Sequence, residues 1–253
     1  MPRRGRAWIG TSGFHYKHWM GTFYPPGMRP PEFLRYYAER FRTVELNNPF
    51  YRMPTDEALE GWREGSPDGF LFAVKASRFI THMKKLADPE KSIRKFFDGM
   101  EILGDKLGPV LFQLPPRWTV NVERLYEFLE ALPKGNRYAF EFREESWLRQ
   151  DVYDLLERYN AAVCAYDFDY RQSPVVVTGD LMYVRLHGPG ARYRGSYSDE
   201  ALGVWAGRMR EWLENGIDVY CYFDNDEAAY AVKDALRLRE LVGAIADAQS
   251  LAS

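Results

Sequence analysis

Eight short apolar runs recur along this chain, and between almost every pair lies a stretch with helical periodicity. That rhythm constrains the fold more than any other feature. The runs cover residues 7–12, 43–47, 70–75, 109–114, 138–143, 162–167, 182–187 and 219–224. A further short extended segment is expected at 175–177. Helical spacing follows at 31–41, where Phe33, Leu34, Tyr37 and Phe41 share one face, and at 55–63, 89–104, 121–132, 151–159, 198–215 and 226–242. Thr55, Asn121 and Ser198 stand where N-caps belong, and Asn215-Gly216 where a helix stops.

Strands that are apolar almost throughout belong to parallel sheets covered by helices on both faces. Eight strands alternating with about as many helices in 253 residues match a (β/α)8 TIM-type barrel, and the expected fold class is α/β of that kind. One domain over residues 1–253 is expected, frayed from about residue 244. A doubly wound open sheet would carry a glycine-rich dinucleotide turn after the first strand, and Gly10-Thr11-Ser12-Gly13 is not that motif.

The strands begin apolar and end polar. Glu45 and Asn47 end the second, Lys75 the third, and Gln113 lies near the end of the fourth. Glu141 and Arg143 end the fifth, Asp167 the sixth, Arg185 and His187 the seventh, and Asp224 the eighth with Asn225 just beyond. In the stretch 138–143, period-two alternation puts Ala139, Glu141 and Arg143 on one face and Tyr138, Phe140 and Phe142 on the other. Charges are rarely buried without partners, so this strand is expected to run from core into a polar site. In a barrel the C-terminal strand ends and the loops after them form the active-site bowl. A single charged strand end is usually a solvated rim residue; the same polarity at most strands points to a site.

The residue types limit its chemistry. Lys75, Arg143 and Arg185 are cations suited to phosphate or carboxylate, although a closed ion network would also account for them. Glu45 and Glu141 are candidates for acid/base work, with simple salt bridging to Lys75 and Arg143 as the alternative. His187 completes the candidate catalytic set. Asn47, Lys75, His82, Gln113, Arg143, Trp147, Asp167, Arg185 and Asn225 are candidate substrate-binding residues. Carboxylates and His187 include metal-ligand types, but no metal-binding spacing supports them; neither a metal nor another cofactor is expected. Aromatic residues after the strand ends, among them Trp19, Tyr24, Phe50 and Trp147, serve either to pack the loops or to stack on a sugar or base; packing is favoured.

A net charge of −2 gives no support for a globally basic nucleic-acid binder. No apolar run spans a bilayer, and the basic start, residues 1–6, lacks the apolar core of a signal peptide. A cytoplasmic protein with Cys164 and Cys221 as buried thiols is expected.

The chain resembles the YecE-like family, catalogued as a domain of unknown function. The resemblance rests on Gly10-Thr11-Ser12-Gly13-Phe14, Thr43-Val44-Glu45-Leu46-Asn47, Phe72-Ala73-Val74-Lys75 with Thr81-His82, and Gly108 to Pro116. It continues through Ala139-Phe140-Glu141-Phe142-Arg143 with Ser146-Trp147, and Tyr183-Val184-Arg185-Leu186-His187-Gly188. It implies a TIM-type barrel and brings no assigned reaction. Where the family pattern runs Phe-Asn-Asn, this chain has Phe223-Asp224-Asn225, so the resemblance supports Asn225 above Asp224.

The function expected is a metal-independent enzyme acting by acid/base chemistry, as a hydrolase or lyase, on an anionic small molecule. The alternatives are a nucleic-acid phosphodiesterase or repair-type barrel enzyme and a non-catalytic ligand-binding protein. Nucleic acid is the less favoured partner, and a membrane is not expected.

Overall fold

The structure, a computed structural model, describes residues 3–190 and 192–250. The chain has an α/β fold of the (β/α)8 TIM type. Its strands are β1 (Ala7–Thr11), β2 (Thr43–Leu46), β3 (Leu71–Lys75), β4 (Leu107–Gln113), β5 (Tyr138–Glu141), β6 (Ala162–Phe168), β7 (Arg171–Gln172), β8 (Leu181–Leu186) and β9 (Asp218–Phe223). The helices are α1 (Phe33–Ala38), α2 (Asn48–Tyr51), α3 (Asp56–Gly65), α4 (Pro89–Met100), α5 (Val122–Glu130), α6 (Gln150–Arg158), α7 (Asp199–Glu214) and α8 (Tyr230–Ser250). No helix among the described residues is long and apolar enough to cross a membrane.

Two compact units make up the chain. The first comprises Met1–Val44, Ala165–Ser173 and Asp180–Ser253; the second comprises Glu45–Cys164 and Pro174–Gly179. In the first, β1 pairs in parallel with β9, and β9 in parallel with β8. Gly10 in β1 is required by close approach: a Cβ there would lie 2.4 Å from the carbonyl oxygen of Thr43. The buried Tyr37 hydroxyl ties the same place, accepting from Thr11 N–H at 3.0 Å and donating to Thr43 O at 3.1 Å. The aromatic residues after β1 pack tightly. Trp19 and Tyr24 are buried, and Tyr24 stacks on Phe33 with ring centroids 4.1 Å apart.

In the second unit β3, β4 and β5 pair in parallel, with a register shift between Phe72 and Val74. Rings of Phe112, Phe128 and Phe140 meet edge-to-face and stacked in its core. Lys106 is buried there, its ammonium donating to Arg63 O and Ser66 O, both at 2.6 Å, and to Ser66 Oγ at 3.1 Å.

The expected caps are in place: Thr55, Asn121 and Ser198 each accept from the backbone N–H three residues on. Several boundaries differ. β5 stops at Glu141, and Phe142 and Arg143 lie in the loop beyond it. Residues 175–177 are not a strand; the added strand is β7, antiparallel to β6. It forms a tight hairpin through Asp169 and Tyr170, with φ of 55° and 62°, the geometry of a type I′ turn. The stretch 89–104 divides after Met100 into α4 and a 3-10 segment, Glu101–Lys106, which is itself kinked at Gly104 (φ 57°). The last helix, expected to end near 242, continues in α8 to Ser250, and the rest of the expected frayed tail, residues 251–253, lies outside the described residues.

Candidate functional site

In the second unit, Gln113 and Glu141 end neighbouring parallel strands and face each other across the β4–β5 register. Glu141 is fully buried. Its Oε1 accepts from Gln113 Nε2 at 2.6 Å and from Arg143 Nε, while the Cys164 thiol lies 4.0 Å from Oε2. The alternation in 138–143 does place Glu141 and Arg143 on one side, although the strand itself has ended before Arg143. Trp147, also buried, donates its indole N–H to Trp118 O at 2.6 Å and stacks on Phe142, which fixes the loop carrying Arg143.

Glu45, in β2, is fully buried. Asn47 follows β2 half-buried, and its Oδ1 has no hydrogen-bond partner among the described residues. Lys75, the last residue of β3, sets its ammonium 4.3 Å from the Phe50 ring centroid. His82 lies in a single π-helical turn, Phe79–Met83, meets Phe50 edge-to-face, and places Nδ1 2.9 Å from Thr81 Oγ1. Burial lowers the His82 pKa to about 4, with further lowering by the Lys75 and Arg78 cations and some opposition from Glu141. The imidazole beside these cations is therefore neutral at physiological pH.

In the first unit, three backbone bonds extend the ladder one residue past the strand ends. Ser12 N–H donates to Phe223 O at 2.8 Å, Asp224 N–H to Leu186 O at 2.8 Å, and His187 N–H to Asp167 O at 3.0 Å. The backbone at these positions is thus held by strand-type hydrogen bonds. The Arg185 guanidinium approaches Ser12 Oγ at 3.3 Å and Asp224 Oδ2 at 3.4 Å. His187 Nδ1 lies 3.1 Å from Asp167 O, and its Nε2 lies 3.5 Å from the same Asp224 oxygen. Burial raises the pKa of the Asp167 carboxyl, against the favourable hydrogen bond from the Tyr197 hydroxyl.

Arg185 and His187 are therefore brought together, and Asp224 joins them. Asn225 engages a different set: its amide N–H donates to Gly195 O and Asp234 Oδ2, both at 2.7 Å, and its Oδ1 has no partner among the described residues. Of the residues gathered here, Ser12 is not singled out from the sequence, although its position at a strand end is the available signal; Asp224 ranks below Asn225 there, and Phe50 reads as packing before stacking. Both cysteines are buried and outside any disulfide, and burial raises the pKa of Cys221.

Among the described residues no group of three or more His, Cys, Asp or Glu side chains is arranged to hold a metal ion. A cleft of about 900 Å³ in the second unit is lined by Phe79, Lys84, Asp88, Lys91, Ser92 and Glu127 among others, and none of the strand-end residues borders it.

Comparison with known proteins agrees with this fold. The family model described as "Protein of unknown function DUF72" matches residues 8–252. The UPF0759 protein YunF of Bacillus subtilis is 24% identical over 254 residues, covering 87% of this chain and 90% of YunF. The UPF0759 protein YecE of Escherichia coli (strain K12) is 32% identical over 111 residues, 44% of this chain and 41% of YecE. A crystal structure of a DUF72 family protein from Thermotoga maritima is similar at a TM-score of 0.85 with 28% identity, covering 94% of this chain and 99% of that one. A DUF72 family protein from Enterococcus faecalis shares the fold at a TM-score of 0.81 and 19% identity, over 94% of this chain and 95% of its own. With nearly its whole length matched by the family model, the chain belongs to the DUF72 family.

Proposed function

We propose that this protein is an enzyme using acid/base chemistry, without a metal ion, on a phosphorylated or carboxylated small molecule held at the C-terminal ends of its strands. One observation carries the reading. Ionisable side chains are buried at those ends in both units: Glu45 and Glu141 are 0% exposed in one, Arg185 and His187 1% exposed in the other. Burying charge costs several kcal/mol that a fold of this class does not need to spend, and its C-terminal strand ends are where active sites are built. Glu141 with two donors on one oxygen suits an ionised carboxylate and hence a base. Arg143 and Lys75 offer the cations, and the neutral His82 a hydrogen bond, to an anionic group.

The test is a thermal-unfolding screen of the full chain against phosphorylated and carboxylated metabolites. At least one is expected to raise Tm by preferential binding to the folded state, and Glu141→Gln is expected to abolish turnover of that compound while leaving the protein folded. A panel without a single stabilising anion, or a Glu141→Gln variant with wild-type turnover, overturns the reading.

A further inference from the structure

Away from the strand ends, the second unit carries a groove of about 340 Å³, the lower end of the range for small-molecule sites. Its apolar lining is Phe79 and Ile80 from the π-helical turn, Phe96 from α4, and Met53 from the loop after α2. Phe79 stays 44% exposed although Ile80 beside it is buried. Rings and a flexible thioether suit an apolar body and give it no directional bond. The turn is fixed before anything binds: Lys84 N–H donates to Phe79 O at 2.9 Å and Leu86 N–H to Ile80 O at 3.0 Å. The chain then enters α4 through Lys85, Leu86 and Asp88, all left-handed.

The polar part of the lining holds two cations, Lys91 and Lys95, and, among the described residues, no carboxylate. These lysines lie one turn apart on α4, and both are exposed. Like charges at that spacing repel, and Lys91 sits in the first turn, where the helix dipole disfavours a cation. Neither lysine is in an ion pair among the described residues. An anion between them relieves both penalties. The nearby carboxylates, Asp88, Glu90, Glu127 and Glu130, line the adjoining cleft, which shares Phe79 and Lys91 with the groove but not Lys95. The Lys95 end is therefore the one open to negative charge. We infer that this groove is a second ligand site, for a small organic anion with an apolar body. The body lies against Phe79, Ile80, Phe96 and Met53, and its carboxylate or phosphate meets Lys91 and Lys95.

This site does not depend on the acid/base reading of the strand ends. Isothermal titration of the full chain at neutral pH and low salt tests it with two aromatic anions, phenylpropionate and phenyl phosphate. Phenylpropanol keeps the body without the charge, and acetate the charge without the body. Saturable binding of at least one aromatic anion is expected, with both controls weaker by about tenfold or more, roughly the size of one charge-assisted hydrogen bond. The double variant Lys91→Gln/Lys95→Gln, which changes only exposed side chains, is expected to weaken the aromatic anion by a similar factor, and Phe79→Ala is expected to weaken it too. No saturable binding of either aromatic anion overturns the inference, as does a control that binds equally well or an unchanged affinity in either groove variant. Binding that survives in the lysine variant but is lost in Glu141→Gln assigns the anion to the strand ends, which supports the proposed function and overturns the groove site.

Discussion

The Arg143 guanidinium donates through Nε to the carboxylate of Glu141, two residues earlier in the chain and fully buried at the end of β5. The pair is local in sequence, but its second donor, Gln113, comes from the neighbouring strand. The loop holding Arg143 is pinned separately by Trp147.

Glu141→Gln keeps the shape, makes the Gln113 bond a neutral one and removes the carboxylate charge from beside Arg143, so we expect it to lower stability by about 2 kcal/mol. That loss is well within the reserve of an ordinary domain. Adding Arg143→Met in that background should cost much less than Arg143→Met alone, because contacting residues are coupled. Urea midpoints of the four proteins measure the coupling; additive losses would show that the pair contributes nothing jointly.

His82 has its folded pKa at about 4, below the unfolded value of 6.5. Between those limits the unfolded chain binds the extra proton and the folded chain does not, so this residue withdraws stability as pH falls through that window. His82→Gln should flatten that part of the stability–pH curve and leave neutral-pH stability nearly unchanged. An NMR titration of His82 with a midpoint near 6.5 would remove the effect.

Gly10→Ala drives a methyl group to 2.4 Å from the Thr43 carbonyl oxygen, a backbone atom that cannot rotate away. The strand must shift, and we expect a loss of at least about 1–3 kcal/mol, the usual range for overpacking. Thermal unfolding of the variant measures it, and an unchanged Tm would mean that β1 moves freely there.

Lys106→Met removes the donor shared by Arg63 O and Ser66 O; Arg63 O keeps the Ser66 hydroxyl as a donor, whereas Ser66 O loses the buried ammonium. A loss of about 2 kcal/mol is expected. Lys106→Arg is not expected to rescue it, because a planar guanidinium does not fit acceptors converging on one nitrogen. Denaturant midpoints of both variants decide between a structural lysine and a dispensable one.

The strand–helix rhythm was legible because apolar runs and caps are local signals: Thr55, Asn121 and Ser198 each do what their residue type and position demand. The hairpin at Asp169 and Tyr170 was not, because two left-handed residues in a row usually announce themselves with glycine or asparagine, and neither is present. The π-helical turn Phe79–Met83 was hidden for a related reason: Phe-Ile-Thr-His-Met has no breaker and the composition of a strand. In the candidate site, alternation correctly put Glu141 with Arg143 and Arg185 with His187. It did not choose between Asp224 and Asn225. Adjacent residues leave a strand in opposite directions, and that phase is fixed by pairing, Phe223 beside Leu186, which no single stretch contains.

The stack of Trp147 on Phe142, with ring centroids 5.2 Å apart and planes 5° from parallel, gives the protein an optical probe of its own. Phe142 is the residue between Glu141 and Arg143, so any event that reorients that ion pair changes the surroundings of a buried indole. Tryptophan emission from the unlabelled chain, with Trp147→Phe as the reference spectrum, becomes a direct monitor of the end of β5 during titration, ligand screening or unfolding.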